Sequence, residues 1–108
     1  MSTDWSRKLR RAPRAAINMH VKIWRRVNGE ERLVPGYCMN LSEDGIAVFM
    51  PGQMALDEKL ELQFTLPGST KEIKIEAVVR AINKFQHGME FINPDSTVKG
   101  LLDTLARG

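Results

Sequence analysis

Cysteine is almost missing from this chain: Cys38 is the only one in 108 residues. An intrachain disulfide is thereby excluded, and a reducing compartment matches the composition. The lone thiol is expected to be a small buried strand residue. Histidine is scarce too. His20 and His87 stand far apart, neither with a Cys or His at ligand spacing, so no metal site is expected. No apolar run approaches the roughly 18 residues of a membrane span, and the first residues lack the apolar centre of a secretory signal, which makes a cytoplasmic location the expectation. Aromatic residues make up only 6% of the chain, which weakens any reading as a surface of rings stacked on nucleic-acid bases. The acidic pairs Glu43-Asp44 and Asp57-Glu58 fall in turn-like sequence, where carboxylates usually face water, and no Walker loop, nucleophile elbow or zinc-protease helix is present. The chain is not expected to be an enzyme.

What is present is globular in balance. Hydrophobic residues at 43% and charged residues at 27% allow one core, and the length suits one domain. Charge is distributed unevenly. Residues 1–26 carry eight basic side chains against Asp4 alone, a balance of +7, whereas the remaining eight basic residues face twelve acids, a balance of −4. A positive field at the N-terminal end attracts nucleotides, nucleic acid or an anionic membrane.

Residues 1–14 show neither helical nor alternating periodicity and contain Pro13, so they are expected to be a flexible basic leader. Residues 15–93 are expected to form the folded barrel. From Ile17 onward, Ile17, Met19, Val21 and Ile23 alternate with polar neighbours, the period of a half-buried strand, and Asn28-Gly29 turns the chain. A second strand is expected from Leu33 to about Asn40, with Pro35-Gly36 marking a bulge or an edge. Further strands are expected over 46–50, 60–66, 73–79 and 85–91, punctuated by Pro51-Gly52 and Pro67-Gly68. Six short strands without intervening helices predict an all-β, closed antiparallel barrel. Residues 94–108 differ: Val98, Leu101, Leu102 and Leu105 recur at helical spacing behind Asp95 or Ser96 as the cap, predicting a C-terminal helix packed on the barrel by its leucine face.

Two features carry possible binding chemistry. Arg10 and Arg14 offer planar forks that suit phosphate oxygens and guanine edges, although arginine runs at a terminus are often merely solvated. In the turn Asn40-Leu41-Ser42-Glu43-Asp44-Gly45, Asn40 and Ser42 stand two apart on one face, and Gly45 permits a positive φ or a close ligand approach. The competing reading is a turn in which both polar side chains bond local backbone.

Arg10-Arg11-Ala12-Pro13-Arg14 followed by Asn40-Leu41-Ser42-Glu43-Asp44-Gly45 resembles the PilZ family, whose hallmark is RxxxR and then [D/N]xSxxG. The segments 60–67, 75–80 and His87-Gly88-Met89-Glu90-Phe91 are also similar to the family's strands. The resemblance implies a six-stranded barrel that binds cyclic di-GMP, a bacterial second messenger. It implies that Arg10 and Arg14 wrap the ligand, that Asn40 and Ser42 contact a guanine, and that Gly45 keeps the turn tight. Arg7 and Arg11 make a second RxxxR, but a strand begins soon after Arg14, as the family pattern requires. Arg11 and Arg80 are possible additional contacts. Asn40 stands where many members carry aspartate, and its amide offers one acceptor oxygen where a carboxylate offers two. Leu9 occupies the place where an arginine accompanies a stacked ligand dimer in the family, favouring one ligand per protomer. No cofactor other than this ligand is implied, and the output is expected to pass through a protein effector in motility, adhesion or exopolysaccharide control. Stable nucleic-acid or membrane binding is not expected. The alternatives are a small barrel binding RNA or single-stranded DNA through its leader and Trp24, and a ligand-independent adaptor of PilZ-like fold.

Overall fold

Apolar side chains that alternate with polar ones must point to one face of an extended chain, and six such segments curl that face into a closed interior. In a computed structural model of the protein the described residues are 17–52 and 54–107. They form β1 (Met19–Val27), β2 (Glu30–Leu41), β3 (Gly45–Phe49), β4 (Lys59–Thr65), β5 (Glu72–Asn83), β6 (Gln86–Phe91) and α1 (Ser96–Arg107). All neighbouring strands are antiparallel, and the order β1-β2-β3-β6-β5-β4 closes where Lys22–Trp24 of β1 pairs with Glu61–Gln63 of β4. The expected barrel is present. Val21, Ile23, Val48, Leu62, Val79 and Met89 fill it, each at most 2% exposed.

The turns follow from local chemistry. Asn28 and Gly29 both adopt positive φ, 53° and 81°, as a two-residue hairpin turn matched to strand twist requires. Of the bulge or edge expected at Pro35-Gly36, the structure has the edge. Pro35 pairs with Lys22 in an unbroken β1–β2 ladder, at a point where β2 has run past β3 and needs no donor on that side. The register slips instead between Cys38 and Asn40, and again between Val79 and Ala81 on β5. Phe85, expected at the start of a strand, lies in the β5–β6 turn beside Lys84, whose φ is 59°, and is 49% exposed.

The connection from β3 to β4 crosses one end of the barrel. Met50 and Met54 are buried in it, and the Met50 N–H donates to the Phe85 carbonyl. His87, fully buried, accepts from the Met54 N–H at Nε2 (3.2 Å), while its Nδ1 lies 3.1 Å from the Phe85 carbonyl oxygen. One nitrogen accepting and the other donating is the pattern of a neutral ring. His87 therefore ties this connection to the β5–β6 turn.

Glu58 ends the same connection. Its carboxylate accepts two bonds from Arg25, at 2.8 and 2.9 Å, and one from the Ala55 N–H at 3.0 Å. Burial raises the carboxyl pKa, but these bonds and the Arg25 charge outweigh it and hold the value below the ordinary range. A carboxylate depressed on folding contributes stability that is present above its unfolded pKa and is lost as pH falls through the folded one. Arg25→Ala should therefore cost about 1–2 kcal/mol at pH 7, a figure reduced by the pair's partial exposure. In urea titrations at pH 7 and pH 3, Glu58→Gln should flatten the wild-type difference; an unchanged difference would remove Glu58 as its source.

Asp95 caps α1 by accepting the Val98 N–H at 2.8 Å. Leu102 is fully buried in the core and Val98 packs against it, but Leu101 is 42% exposed. Leu101 lines a shallow recess with Leu66 and Pro67 of the β4–β5 turn, and the side chain of Leu105 lies outside the described ones. No helix among the described residues is long and apolar enough to cross a membrane.

Candidate functional site

The turn between β2 and β3 brings together the polar residues singled out above. Ser42 is fully buried. Its Oγ accepts the N–H groups of Asp44 and Gly45 at 3.2 and 3.3 Å, and its own N–H donates to the Gly45 carbonyl at 2.9 Å. The hydroxyl is therefore engaged inside the turn, as the local reading expected. Gly45 begins β3 and is not among the residues with positive φ.

Asn40 behaves differently. The β2 bulge places it across from Ala47, and its Oδ1 is buried with no hydrogen-bond partner. An unpaired buried acceptor costs about 1–3 kcal/mol, so such an atom calls for an explanation. The surface around it is low. Asn40 pairs with Ala47, Ala47 with Gly88, and Gly88 with Ala81, a row of small, half-buried residues across β2, β3, β6 and β5. A bulge stands at each end of this row, one at Met39 and one at Arg80. Bulges re-aim side chains and are frequent beside functional sites.

Arg80 is held in place. Its Nε donates to Glu90 and its Nη1 to Asp57, both at 3.0 Å, and hydrogen bonding to Glu90 keeps the guanidinium more firmly protonated than usual. Two carboxylates thus occupy it. Cys38, fully buried beside the bulge, points its thiol at the Asn40 carbonyl oxygen 3.5 Å away, and burial pushes its pKa up to about 12. At neutral pH it is no nucleophile. Trp24 donates its indole N–H to Gln63 at 2.9 Å and is half-buried. No cluster among the described residues has the composition of a metal site.

Arg10, Arg11 and Arg14 lie outside the described residues. Their attachment point is nonetheless fixed: Met19 pairs with Cys38, two residues from Asn40. Arg14 precedes Met19 by five positions in the sequence, an extended reach of at most about 17 Å. The orphaned acceptor, the low row and the two bulges depend on contacts between distant strands, and no local signal in the sequence announces them.

The PilZ domain family model matches residues 8–108. The chain belongs to the PilZ family. No curated protein sequence matches it. Among solved structures, this PilZ domain is similar to that of CeSA from a cellulose-synthesizing bacterium, at 18% identity and a TM-score of 0.66, covering 88% of this chain and 95% of that one. It is similar to the PilZ domain of Escherichia coli YcgR, solved with c-di-GMP, at 13% identity and a TM-score of 0.71, covering 90% and 88%. The third is the Bacillus subtilis inhibitor of motility MotI/DgrA, at 24% identity and a TM-score of 0.70, covering 89% of this chain but 48% of that one. At these identities the likeness is one of fold.

Proposed function

We propose that this PilZ domain is a receptor for cyclic di-GMP that signals through a protein partner rather than by catalysis. The observation that carries this reading is the buried Asn40 Oδ1 with no partner, beside a row low enough to seat a flat purine. A guanine edge supplies N–H donors for that oxygen. Arg10 and Arg14, in the family's RxxxR motif, supply charge-assisted bonds to the ligand's phosphates. Ser42 and Gly45 act by holding the turn that presents Asn40, and Arg80 acts as an ion-pair strut instead of a direct contact. The YcgR domain solved with c-di-GMP shares this fold, and the inhibitor of motility among the similar structures agrees with control of motility as one output. Ordering of the leader over the ligand changes the surface offered to the partner.

Calorimetric titration with cyclic di-GMP tests the reading directly. Saturable binding is expected with one ligand per protomer, weakening as salt rises because the arginine contacts are ionic. Absence of heat at high micromolar ligand would exclude the receptor. A single-stranded oligonucleotide serves as the control; the indole on which nucleic-acid stacking would rest is already half-buried and bonded to Gln63, so no retention is expected.

A further inference from the structure

His87 is a titratable side chain that the fold buries fully and that the nucleotide site makes no use of. Its two bonds fix its charge state. Nε2 must present a lone pair to accept the Met54 N–H at 3.2 Å, and Nδ1 must carry the proton to donate to the Phe85 carbonyl at 3.1 Å. A second proton has only one place to go. On Nε2 it would face the Met54 N–H, so two donors would point at each other and that bond would be lost, while the bond to Phe85 would survive. Histidine is the side chain whose charge changes within the physiological pH range.

Among the described residues, Val48 of β3 and Ile82 of β5 lie opposite the ring in register, and the connection contributes the buried Met50 and Met54. Cys38, opposite Val48 on β2, is kept protonated by burial, which pushes its pKa up to about 12. Lys84 and Gln86, on either side of Phe85, are exposed. Glu58 is the charged group whose field reaches the ring, and its carboxylate is committed to Arg25 and the Ala55 N–H. Nε2 thus has its hydrogen-bond partner only while the ring is neutral.

What the Met54 bond holds leads to the nucleotide site. Three residues beyond Met54 the connection is fastened to β5: the Asp57 N–H donates to the Val79 carbonyl at 2.8 Å, the Val79 N–H donates to the Glu58 carbonyl at 3.0 Å, and the Asp57 carboxylate accepts from Arg80 at 3.0 Å. Between these points the Glu58 N–H donates to the Ala55 carbonyl and the Ala55 N–H to the Glu58 carboxylate, closing a short turn. Release at Met54 therefore reaches the Arg80 bulge, one end of the low row. On its other side, His87 directly precedes Gly88, a member of that row.

We propose that His87 is a proton-operated pin of the nucleotide site: neutral, it holds the β3–β4 connection and the Arg80 bulge in the binding geometry; protonated, it drops the Met54 N–H and loosens both. On the receptor reading above, on which the pin rests, affinity for cyclic di-GMP falls as the medium acidifies. Phosphodiesters stay ionised and guanine stays neutral over this range, so the ligand contributes no proton of its own.

The test is a pair of calorimetric titrations with cyclic di-GMP, at about pH 7.5 and about pH 5.5, which bracket the ordinary histidine range. Wild type should bind about three- to tenfold more weakly at the lower pH, as the competent fraction falls. His87→Gln places an amide oxygen where Nε2 stood, so it accepts the Met54 N–H at either pH and has no proton to gain. It should match wild type at the higher pH and differ by less than about twofold between the two. His20→Gln, at the exposed histidine, should keep the wild-type drop. Nitrogen-15 NMR of the ligand-free wild type needs no variant: the His87 imidazole should gain charge as the pH falls, and the Met54 amide should shift with it. A ring that stays neutral, a charged ring with an unmoved Met54 amide, or a wild-type drop that persists in His87→Gln would each overturn the pin while leaving the receptor intact. Absence of binding by wild type at the higher pH would remove the receptor reading and the pin's effect on affinity, and the ring and amide signals would then show separately whether the proton releases the connection.

Discussion

Asn40→Ala should lose its ligand and keep its fold. In the free protein the Asn40 Oδ1 is buried without a partner, so its removal relieves a cost instead of breaking a bond. Thermal melting of Asn40→Ala should therefore come within about 2 °C of wild type or above it, since 1 kcal/mol corresponds to roughly 4–8 °C in a domain of this size. Calorimetry should show the opposite: loss of the guanine acceptor lowers affinity for cyclic di-GMP by about tenfold or more, equivalent to roughly 1.4 kcal/mol. Arg14→Ala should weaken binding by about 10–100-fold, because it removes charge-assisted bonds to phosphate. Asn40→Asp should move affinity the other way, by about three- to tenfold, because its second oxygen accepts the second guanine donor. The site assignment fails if Asn40→Ala binds within twofold of wild type, whatever its stability. A variant that is destabilised as well as non-binding would mean that Asn40 holds the turn.

This pattern separates Asn40 from Ser42, a distinction that spacing alone does not make. Both sit on one face of an extended segment, and both are polar. In the folded chain Ser42 donates and accepts within the turn, so Ser42→Ala should affect stability as well as binding. Asn40 alone retains an unspent acceptor.

The strands were legible because their signals are local. Period-two alternation and the Asn28-Gly29 turn each need only a few neighbouring residues, and the Asp95 cap is likewise a short-range bond. The bulges were not. A slip at Met39 or Arg80 is decided by which distant strand lies alongside, and Pro35-Gly36, a plausible local candidate, is accommodated where β2 outruns β3. Phe85 was misplaced for a related reason: an apolar residue beside a strand suggests burial, whereas Lys84 in positive φ has already turned the chain. Arg80 looks like an unpaired strand cation in sequence, and only the fold brings Asp57 and Glu90 to it. The candidate site shares this limitation, since its residues come from four strands.

Gly36→Leu should prevent the barrel from forming. Gly36 faces the interior opposite Val21, and a Cβ built there would lie 2.7 Å from Ile23 Cδ1 and 2.7 Å from Val48 Cγ1. The Ile23 methyl is a side-chain end that can rotate away. Val48 branches at Cβ and has little freedom to follow. Alanine should therefore cost about 1–3 kcal/mol, the usual range for overpacking. Leucine adds three more carbons to a space closed on both sides, and its cost should exceed that range, a large share of the 5–15 kcal/mol that holds a typical domain together. The expected result is a soluble Gly36→Ala with a lower urea midpoint and a Gly36→Leu without a cooperative transition. The site should fail with the fold, because Met19–Cys38 pairing and the Asn40 bulge lie on the same two strands. A cooperative Gly36→Leu as stable as wild type would show that β1 and β3 can part without cost, and the barrel would then not be the rigid support that positions Asn40.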